Sequence, residues 1–218
     1  MLADYIYGTT VMTKADEEMV KNICDRSLKI FDEADPTELL DVYVISIYVE
    51  EEYVEEEGRC FPELRLGWNT NTRWKQCCPK SGQKHRASSA GEAKWNYAFW
   101  LQKESNLMGG GNTGAERKLE DDWMCANGLD FTLEQLGGDE EEYFRRLDLR
   151  GEALWQIGAE LANQLRANDK FISIFGHSIP IIVHEVHMDG CETEYVKQAN
   201  QDGQAEDYFN WTAVDPYT

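Results

Sequence analysis

The sequence predicts an α+β fold, a single domain over residues 1–218 with a mainly antiparallel sheet of four to five strands and helices packed on it. Three observations predict this class. Two β-rich runs lie close enough to form a hairpin, segments with helical periodicity precede and follow them, and no repeat or low-complexity linker divides the chain. The length of 218 residues is that of one good-sized domain.

A first helix is predicted before the hairpin. Thr13 and Asp16 resemble a capping box, in which each side chain bonds the backbone N–H of the other residue. Apolar residues then recur at helical spacing over Met19–Phe31. Asp35-Pro36 is expected to end the helix, because proline cannot continue it.

The hairpin is predicted from two strands and the short connection between them. Val42–Val49 is β-branched and aromatic without strict polar alternation, which indicates a strand covered on both faces. Phe61–Trp68 alternates, with Leu64, Leu66 and Trp68 on one face. Because the connection is short, the two strands are expected to run antiparallel.

The later elements are predicted from caps, glycines and apolar spacing. In chain order they are an irregular basic segment over Asn69–Ser89, a helix over Ser89–Ser105 opened by a second capping box of Ser89 and Glu92, a flexible connection over Asn106–Gly114, a helix over Ala115–Ala126 ended by Asn127-Gly128, a helical region over Leu133–Leu149 interrupted at Gly137-Gly138, an amphipathic helix over Gly151–Leu165, and strands over Phe171–Phe175 and Ile181–Met188.

Net charge is the unusual part of the composition. Lys and Arg number 21 and Asp and Glu number 41, which gives a net charge of −20. A negative field of this size repels nucleic acid and anionic membranes, and it speeds encounter with basic proteins. We therefore expect neither nucleic acid nor a membrane as a partner.

The compartment is predicted from hydropathy and cysteine usage. No apolar run approaches the ~20 residues of a membrane span, and the first ten residues lack the basic start and apolar core of a signal peptide. The six cysteines are scattered without a CxxC pair, and we expect all of them to be reduced thiols. These features predict a cytoplasmic protein.

Motifs that often carry catalysis fail on their details. GGGNTG, residues 109–114, follows a predicted helix rather than a strand, and Ala115-Glu116 stands where a phosphate-binding loop has Lys-Ser/Thr. No serine lies in a GxSxG elbow, and nothing orients a base on the thiols of Cys77-Cys78. The sequence therefore predicts no catalytic constellation, no metal and no cofactor.

HEVH, residues 184–187, resembles a zinc-protease motif with altered spacing. In HExxH the two histidines are four residues apart on a helix, whereas here they are three apart in a segment of strand composition. Residues three apart on a strand point to opposite faces. Glu185 and His187 share a face, and His177 from the neighbouring strand could join them. The alternative function is therefore a metal-dependent hydrolase that uses His177, Glu185 and His187.

Two acidic runs, residues 50–58 and Asp139–Glu142, contain or adjoin aromatic residues. EEEYVEEEG, residues 50–58, contains six glutamates and is either a solvated turn or a docking surface for a basic partner. Aromatic residues among acids suit an interface with a cationic partner. We expect Tyr53 to be exposed, and Trp123 and Phe144 to anchor their helices in the core. The residues predicted to bind a partner are Glu50, Glu51, Glu52, Tyr53, Glu55, Glu56, Glu57, Asp139, Glu140 and Glu141.

Three short motifs follow one another along the chain. They are a strand ending in Asn69-Thr70, a helix that contains Glu-x-x-Trp-x-Tyr (Glu92, Trp95 and Tyr97), and a late pair of apolar strands ending at Asp189. Over Ile23–Asn200 this pattern resembles a bacterial family, labelled as a domain of unknown function, that is found among immunity proteins encoded beside polymorphic toxins. Members often close the region with Asn-Pro, where this chain has Asn200-Gln201.

This resemblance implies a cytoplasmic antitoxin that inactivates a toxin domain by binding it, with no catalytic residues of its own. Many antibacterial toxin domains act on nucleic acid or nucleotides and are basic. An acidic inhibitor gains encounter rate and specificity against such a target. We therefore expect a cognate, basic toxin domain as the partner, with the acidic hairpin steering it.

Overall fold

A long hairpin forms the centre of the structure, a computed structural model that describes residues 12–54, 59–80, 86–109, 111–175, 179–185, 192–201 and 203–213. Strand β1 is Val42–Val54 and strand β2 is Arg59–Thr70. Their antiparallel register pairs Ile47 with Leu66 and Glu51 with Pro62. The predicted hairpin is confirmed, but both strands are longer than predicted, and residues 50–54 of the acidic run belong to β1 rather than to a turn.

Two shorter strands complete a sheet with the order β3-β2-β1-β4. Strand β3, Ser105–Met108, lies antiparallel to β2, and strand β4, Ile181–His184, lies parallel to β1. The predicted α+β class with a mainly antiparallel sheet is confirmed.

Helices precede the hairpin and fill most of the chain after it. Within the described ranges they are α1 (Lys14–Glu33), α2 (Pro36–Leu39), α3 (Asn71–Cys77), α4 (Ala90–Trp95), a 3₁₀ turn (Tyr97–Phe99), α5 (Gly114–Asn127), α6 (Glu140–Ala167), α7 (Asp169–Phe175), α8 (Glu192–Ala199) and α9 (Glu206–Thr212).

The larger core lies between one face of the sheet and the helices α1 and α6. Ile45, Ile47 and Leu66 are fully buried there. Helix α6 comes closest to the strands at Gly158, where an added Cβ atom would lie 3.0 Å from Cγ1 of Val183 and 3.4 Å from Cγ2 of Ile47. The missing side chain at Gly158 is what lets helix and sheet approach this closely.

The opposite face of the sheet carries a smaller apolar core and a set of polar groups. Val44 of β1 and Ile182 of β4 pack there with Trp95, Trp100 and Tyr208. With apolar side chains on both faces, β1 is covered on both sides over its first half, as the sequence predicts.

Side chains occupy backbone groups of both outer strands. The guanidinium of Arg26 donates to the carbonyl oxygens of Leu107 (2.6 Å) and Asn106 (3.1 Å) in β3. The side-chain amide of Asn200 accepts from the N–H of Ile181 (2.9 Å) and donates to its carbonyl oxygen (2.7 Å), as a neighbouring strand would. An exposed strand edge is a template for pairing with another chain, and these contacts blunt it.

Helix ends predicted from capping residues are confirmed. The N–H of Thr13 donates to Oδ2 of Asp16 (2.7 Å), and the N–H of Asp16 donates to Oγ1 of Thr13 (3.2 Å). Helix α5 ends at Gly128 in the left-handed conformation, with φ +69°, as the Asn127-Gly128 signal predicts.

The segment Phe171–Phe175, predicted as a strand, is instead part of helix α7. A short apolar run does not separate strand from helix by periodicity alone. In the helix Phe171 and Phe175 lie on one side, with ring centroids 5.8 and 5.1 Å from that of Phe31, while Ile172 is 48% exposed.

Other predicted boundaries are wrong where a local cap or turn intervenes. The helix predicted over Ser89–Ser105 ends at Trp95, because the side chain of Asn96 accepts from the N–H of Ala98 and starts a 3₁₀ turn. Helix α3 lies where an irregular segment is predicted, and β3 where a connection is predicted. The interruption predicted at Gly137-Gly138 precedes α6, which is one helix of 28 residues.

Candidate functional site

The two acidic runs lie at the same end of the molecule. Near the tip of the hairpin, Oε1 of Glu51 is 2.6 Å from Nε of Arg150 on α6. Beside it, Sγ of Cys60 is 4.0 Å from the hydroxyl of Tyr143, also on α6. These contacts place Glu51 of β1 and Cys60 of β2 against the first half of α6, which begins with the second acidic run, Asp139–Glu142. We define the acidic end as five exposed acidic residues of this region together with Phe144: Glu52, Asp139, Glu140, Glu141, Phe144 and Asp148. Glu50 and Arg145 are also exposed, but they are paired within the chain with Arg65 and Glu142.

The glutamates of the hairpin alternate between the two faces of β1. Glu50 points to the face with the smaller core, where Oε2 is 3.4 Å from Nη2 of Arg65. Glu51 points to the opposite face and Arg150, and Glu52 is exposed. The side chain of Tyr53 and all of Glu55, Glu56 and Glu57 lie outside the described residues. Of the three described glutamates of the hairpin that are predicted to bind a partner, two therefore form ion pairs within the protein.

The acids at the start of α6 face solvent. Oδ1 of Asp139 accepts from the N–H of Glu142 (3.1 Å) and caps the helix. Glu140 and Glu141 are exposed in the first turn, where the positive end of the helix dipole favours negative charge. Glu142 is bonded to Arg145 and Arg146, whose guanidinium groups lower its pKa to about 2.

Phe144 is exposed at the centre of this acidic run. The expectation that it anchors its helix in the core is wrong, because 61% of the residue is exposed. Tyr143 takes the inner position and contacts Phe131, with the ring centroids 5.6 Å apart. Phe144 lies against the outer side of Tyr143, at 5.9 Å. The same expectation for Trp123 is confirmed, since Trp123 is 1% exposed and its Nε1–H donates to Asp16 (2.7 Å).

Arg150 is a buried cation that the sequence analysis missed. Its exposure is 1%, its guanidinium carbon lies 5.0 Å from the ring centroid of Phe131, and its Nη1 is 3.5 Å from the carbonyl oxygen of Leu129. Glu51 supplies its charge partner. A buried charge is tolerated only with such a partner. The sequence spacing could have indicated its burial, because Arg150 lies four residues before Leu154 and therefore on the same, buried side of α6.

A second group of ionisable residues lies on the opposite face of the sheet. Arg65 of β2 contacts the carboxylates of Glu63, Glu50 (3.4 Å) and Glu104 (3.6 Å). The hydroxyl of Tyr97 donates to Glu104, and burial together with that carboxylate raises the pKa of Tyr97 above its ordinary value. The guanidinium of Arg65 therefore occupies the position among these carboxylates that a cationic ligand would take. The negative charges are paired within the chain.

His184 is enclosed beside this group and is neutral. Its Nε2 lies 2.8 Å from Oγ of Ser46, and its Nδ1 lies 3.3 Å from the carbonyl oxygen of Glu185. The rings of Tyr97 and Trp100 lie with their centroids 4.8 and 5.4 Å from the imidazole. Complete burial lowers the pKa of His184 to about 4. These contacts fit a ring whose Nδ1–H donates and whose Nε2 accepts, which is a structural role.

The residues of the alternative hydrolase are mostly outside the described ranges. His177 and His187 are not described, and Glu185 is half-buried just after β4. Within the part of the chain that the structure describes, no group of three or more His, Cys, Asp or Glu side chains could hold a metal ion. The hydrolase prediction stays untested.

Comparisons with known proteins do not relate this site to a characterised one. No protein-family model, no curated protein and no solved structure matches the chain. Among the described helices, none combines the length and the apolar character that crossing a membrane requires.

Proposed function

We propose that this protein is a cytoplasmic immunity protein that neutralises one cognate, basic toxin domain by binding it directly through the acidic end. The observation that carries the proposal is the position of two acidic runs, about 90 residues apart in sequence, at one end of the fold. The family resemblance supplies the kind of partner, and the net charge of −20 supplies the attraction.

The exposed carboxylates are suited to raising the rate of association with the partner rather than to slowing its dissociation. Charges at the rim of an interface mainly raise the association rate, and salt screens them. Glu52, Glu140 and Glu141 are exposed, so their field reaches solvent. Glu50 and Glu51 contribute less, because each is partly neutralised by an arginine of the same chain.

Strand addition is a less suitable mode of binding for this protein. Arg26 occupies carbonyl groups of β3, and Asn200 occupies both backbone groups of Ile181 in β4. A partner that added a strand at either place would first have to displace these side chains. A surface-to-surface complex at the acidic end needs no such rearrangement.

The test is co-expression with the toxin domain encoded beside this gene, followed by measurement of the binding rates of the purified pair. We expect protection of the cell and a stable complex. Changing Glu52, Glu140 and Glu141 to Gln should slow association by about tenfold at low salt and by much less at about 0.5 M salt.

The matched control removes the same number of negative charges elsewhere. Glu17, Glu18 and Asp25 are exposed on α1, and changing them to Gln, Gln and Asn should leave the association rate within about twofold of wild type. Equal slowing by both triple variants would show that only net charge matters and that the acidic end is not the docking surface. Absence of any complex or protection would refute the proposed function itself.

A further inference from the structure

We infer that Phe144 is the anchor of this interface, and that the toxin domain receives it in an apolar pocket bordered by Lys and Arg side chains. The inference rests on the proposed function, which requires only that the acidic end meets a basic surface. It adds the group that holds the complex together and the chemistry of the pocket on the partner.

Exposure of an aromatic ring at this place is the first argument. Three large hydrophobic residues in the described ranges are clearly exposed, namely Leu40 (84%), Phe144 (61%) and Ile172 (48%), and Phe144 is the aromatic one. It is also the one that lies in the acidic end. Aromatic residues that become buried on binding supply a large share of the energy of interfaces, whereas the charges around them act mainly on encounter.

The ring is presented by a rigid support, which is the second argument. Helix α6 has 28 residues and is fixed in the core by Leu154, Ile157 and Leu161. Phe144 stands against Tyr143, and Tyr143 is fixed in turn by Phe131. Little conformational freedom remains to be lost when the ring enters a pocket, and a preorganised group of this kind binds more tightly.

The charges around the ring are the third argument, because they specify the rim of the pocket. Glu140 and Glu141 precede Phe144 by four and three residues and Asp148 follows by four, so all three border it on the helix surface. Over residues 139–148 five carboxylates accompany two arginines, and both arginines are bonded to Glu142. An apolar side chain within a negative ring is complementary to an apolar pocket within a positive one.

The test compares the variant Phe144→Ala with Ile172→Ala, a truncation of an exposed apolar residue outside the acidic end. With the purified toxin domain, we expect Phe144→Ala to raise the dissociation rate by about thirtyfold or more and to leave the association rate within about twofold. Ile172→Ala should change neither rate. Thermal unfolding should be nearly the same for Phe144→Ala and wild type, because the ring is mostly exposed.

A photo-crosslinking amino acid at position 144 identifies the pocket directly. Crosslinks to apolar toxin residues next to Lys or Arg support the inference. A dissociation rate unchanged by Phe144→Ala, or crosslinks to toxin residues without that surrounding, would overturn the anchor while leaving binding through the acidic end intact. If the wild-type protein does not bind the toxin domain at all, both the proposed function and the anchor are wrong.

Discussion

The two acidic runs have nearly the same composition but different structural outcomes. Successive side chains of β1 point to opposite faces of the sheet. Glu50 and Glu51 therefore lie on different faces, where each forms an ion pair with an arginine. At the start of α6, Asp139, Glu140 and Glu141 occupy the cap and first turn and all three are exposed. A run of carboxylates in a strand is therefore divided between the interior and the surface, whereas one at a helix start is presented together. In the strand run the paired Glu50 and Glu51 make contacts within the fold, whereas Glu52 and the acids at the start of α6 are exposed to solvent.

Removing Arg150, the buried partner of Glu51 in β1, should have the largest effect on stability. Arg150→Ala takes away a cation that is 1% exposed, together with its contact to Phe131, and leaves Glu51 without its partner. We expect a loss of about 3–5 kcal/mol in the free energy of unfolding, measured by urea denaturation. Arg145→Ala is the matched control, since Arg145 is bonded to Glu142 on the exposed surface of the same helix and its loss should cost far less stability than the loss of Arg150. Similar losses for both variants would contradict the division between interior and surface.

His184, which lies on the sheet face with the smaller core, should make the free energy of unfolding depend on pH. The imidazole is neutral in the fold, with a pKa of about 4 against an ordinary value of 6.5, so the unfolded chain binds more protons between these values. Stability from this group is fully present above pH 6.5 and is lost as the pH falls toward 4, by up to about 3 kcal/mol. The measurement is the free energy of unfolding from pH 7 to pH 4. Because many carboxylates also titrate there, the effect of His184 is the difference from His184→Asn, whose curve should be flatter over this range.

The alternation along β1 predicts opposite results for adjacent glutamates. Glu51→Gln leaves the buried guanidinium of Arg150 without a counter-charge and should cost about 2 kcal/mol of stability. Glu52→Gln changes an exposed side chain and should stay within about 0.5 kcal/mol of wild type. For the association rate of the proposed complex we expect the reverse ranking, because Glu52 faces solvent while Glu51 is already paired with Arg150. Equal destabilisation by the two variants, in the same urea titration, would mean that the observed register does not decide their roles.

Local rules predicted much of this fold because the deciding contacts are close in sequence. The cap at Thr13, the apolar spacing of α1 and the short hairpin connection each involve residues a few positions apart. The helical conformation of Phe171–Phe175, part of α7, was missed because the packing of Phe171 against Phe31, 140 residues earlier, cannot be recognised from neighbouring residues. Where the chain is read only locally, a five-residue apolar segment fits both kinds of structure.

The sequence shows where the two acidic runs occur along the chain, but not that they lie at one end of the fold or which of their carboxylates are paired. The sequence identified both acidic runs, and the structure places them together. The sequence alone could not show that Glu51 pairs with Arg150, because 41 acidic and 21 basic residues offer too many possible pairs. Phe144 was misplaced because it is adjacent to Tyr143, and a shift of one position on a helix, about 100°, decides which of two neighbouring aromatics is buried.

The acidic run at the start of α6 should also contribute to the fold, mainly through its first residue, Asp139, and this is the smallest effect. Oδ1 of Asp139 accepts from the N–H of Glu142, one of the four N–H groups at the start of α6 that have no partner within the helix. Asp139→Ala should therefore cost about 1 kcal/mol in urea unfolding. Asp139→Asn keeps an acceptor oxygen and should recover most of this, while Glu140→Gln should change stability by less than about 0.5 kcal/mol. If Glu140→Gln destabilised the protein as much as Asp139→Ala, the exposed acids of α6 would be structural like Glu51 of β1, and the proposal that the acidic end is a docking surface would lose its support.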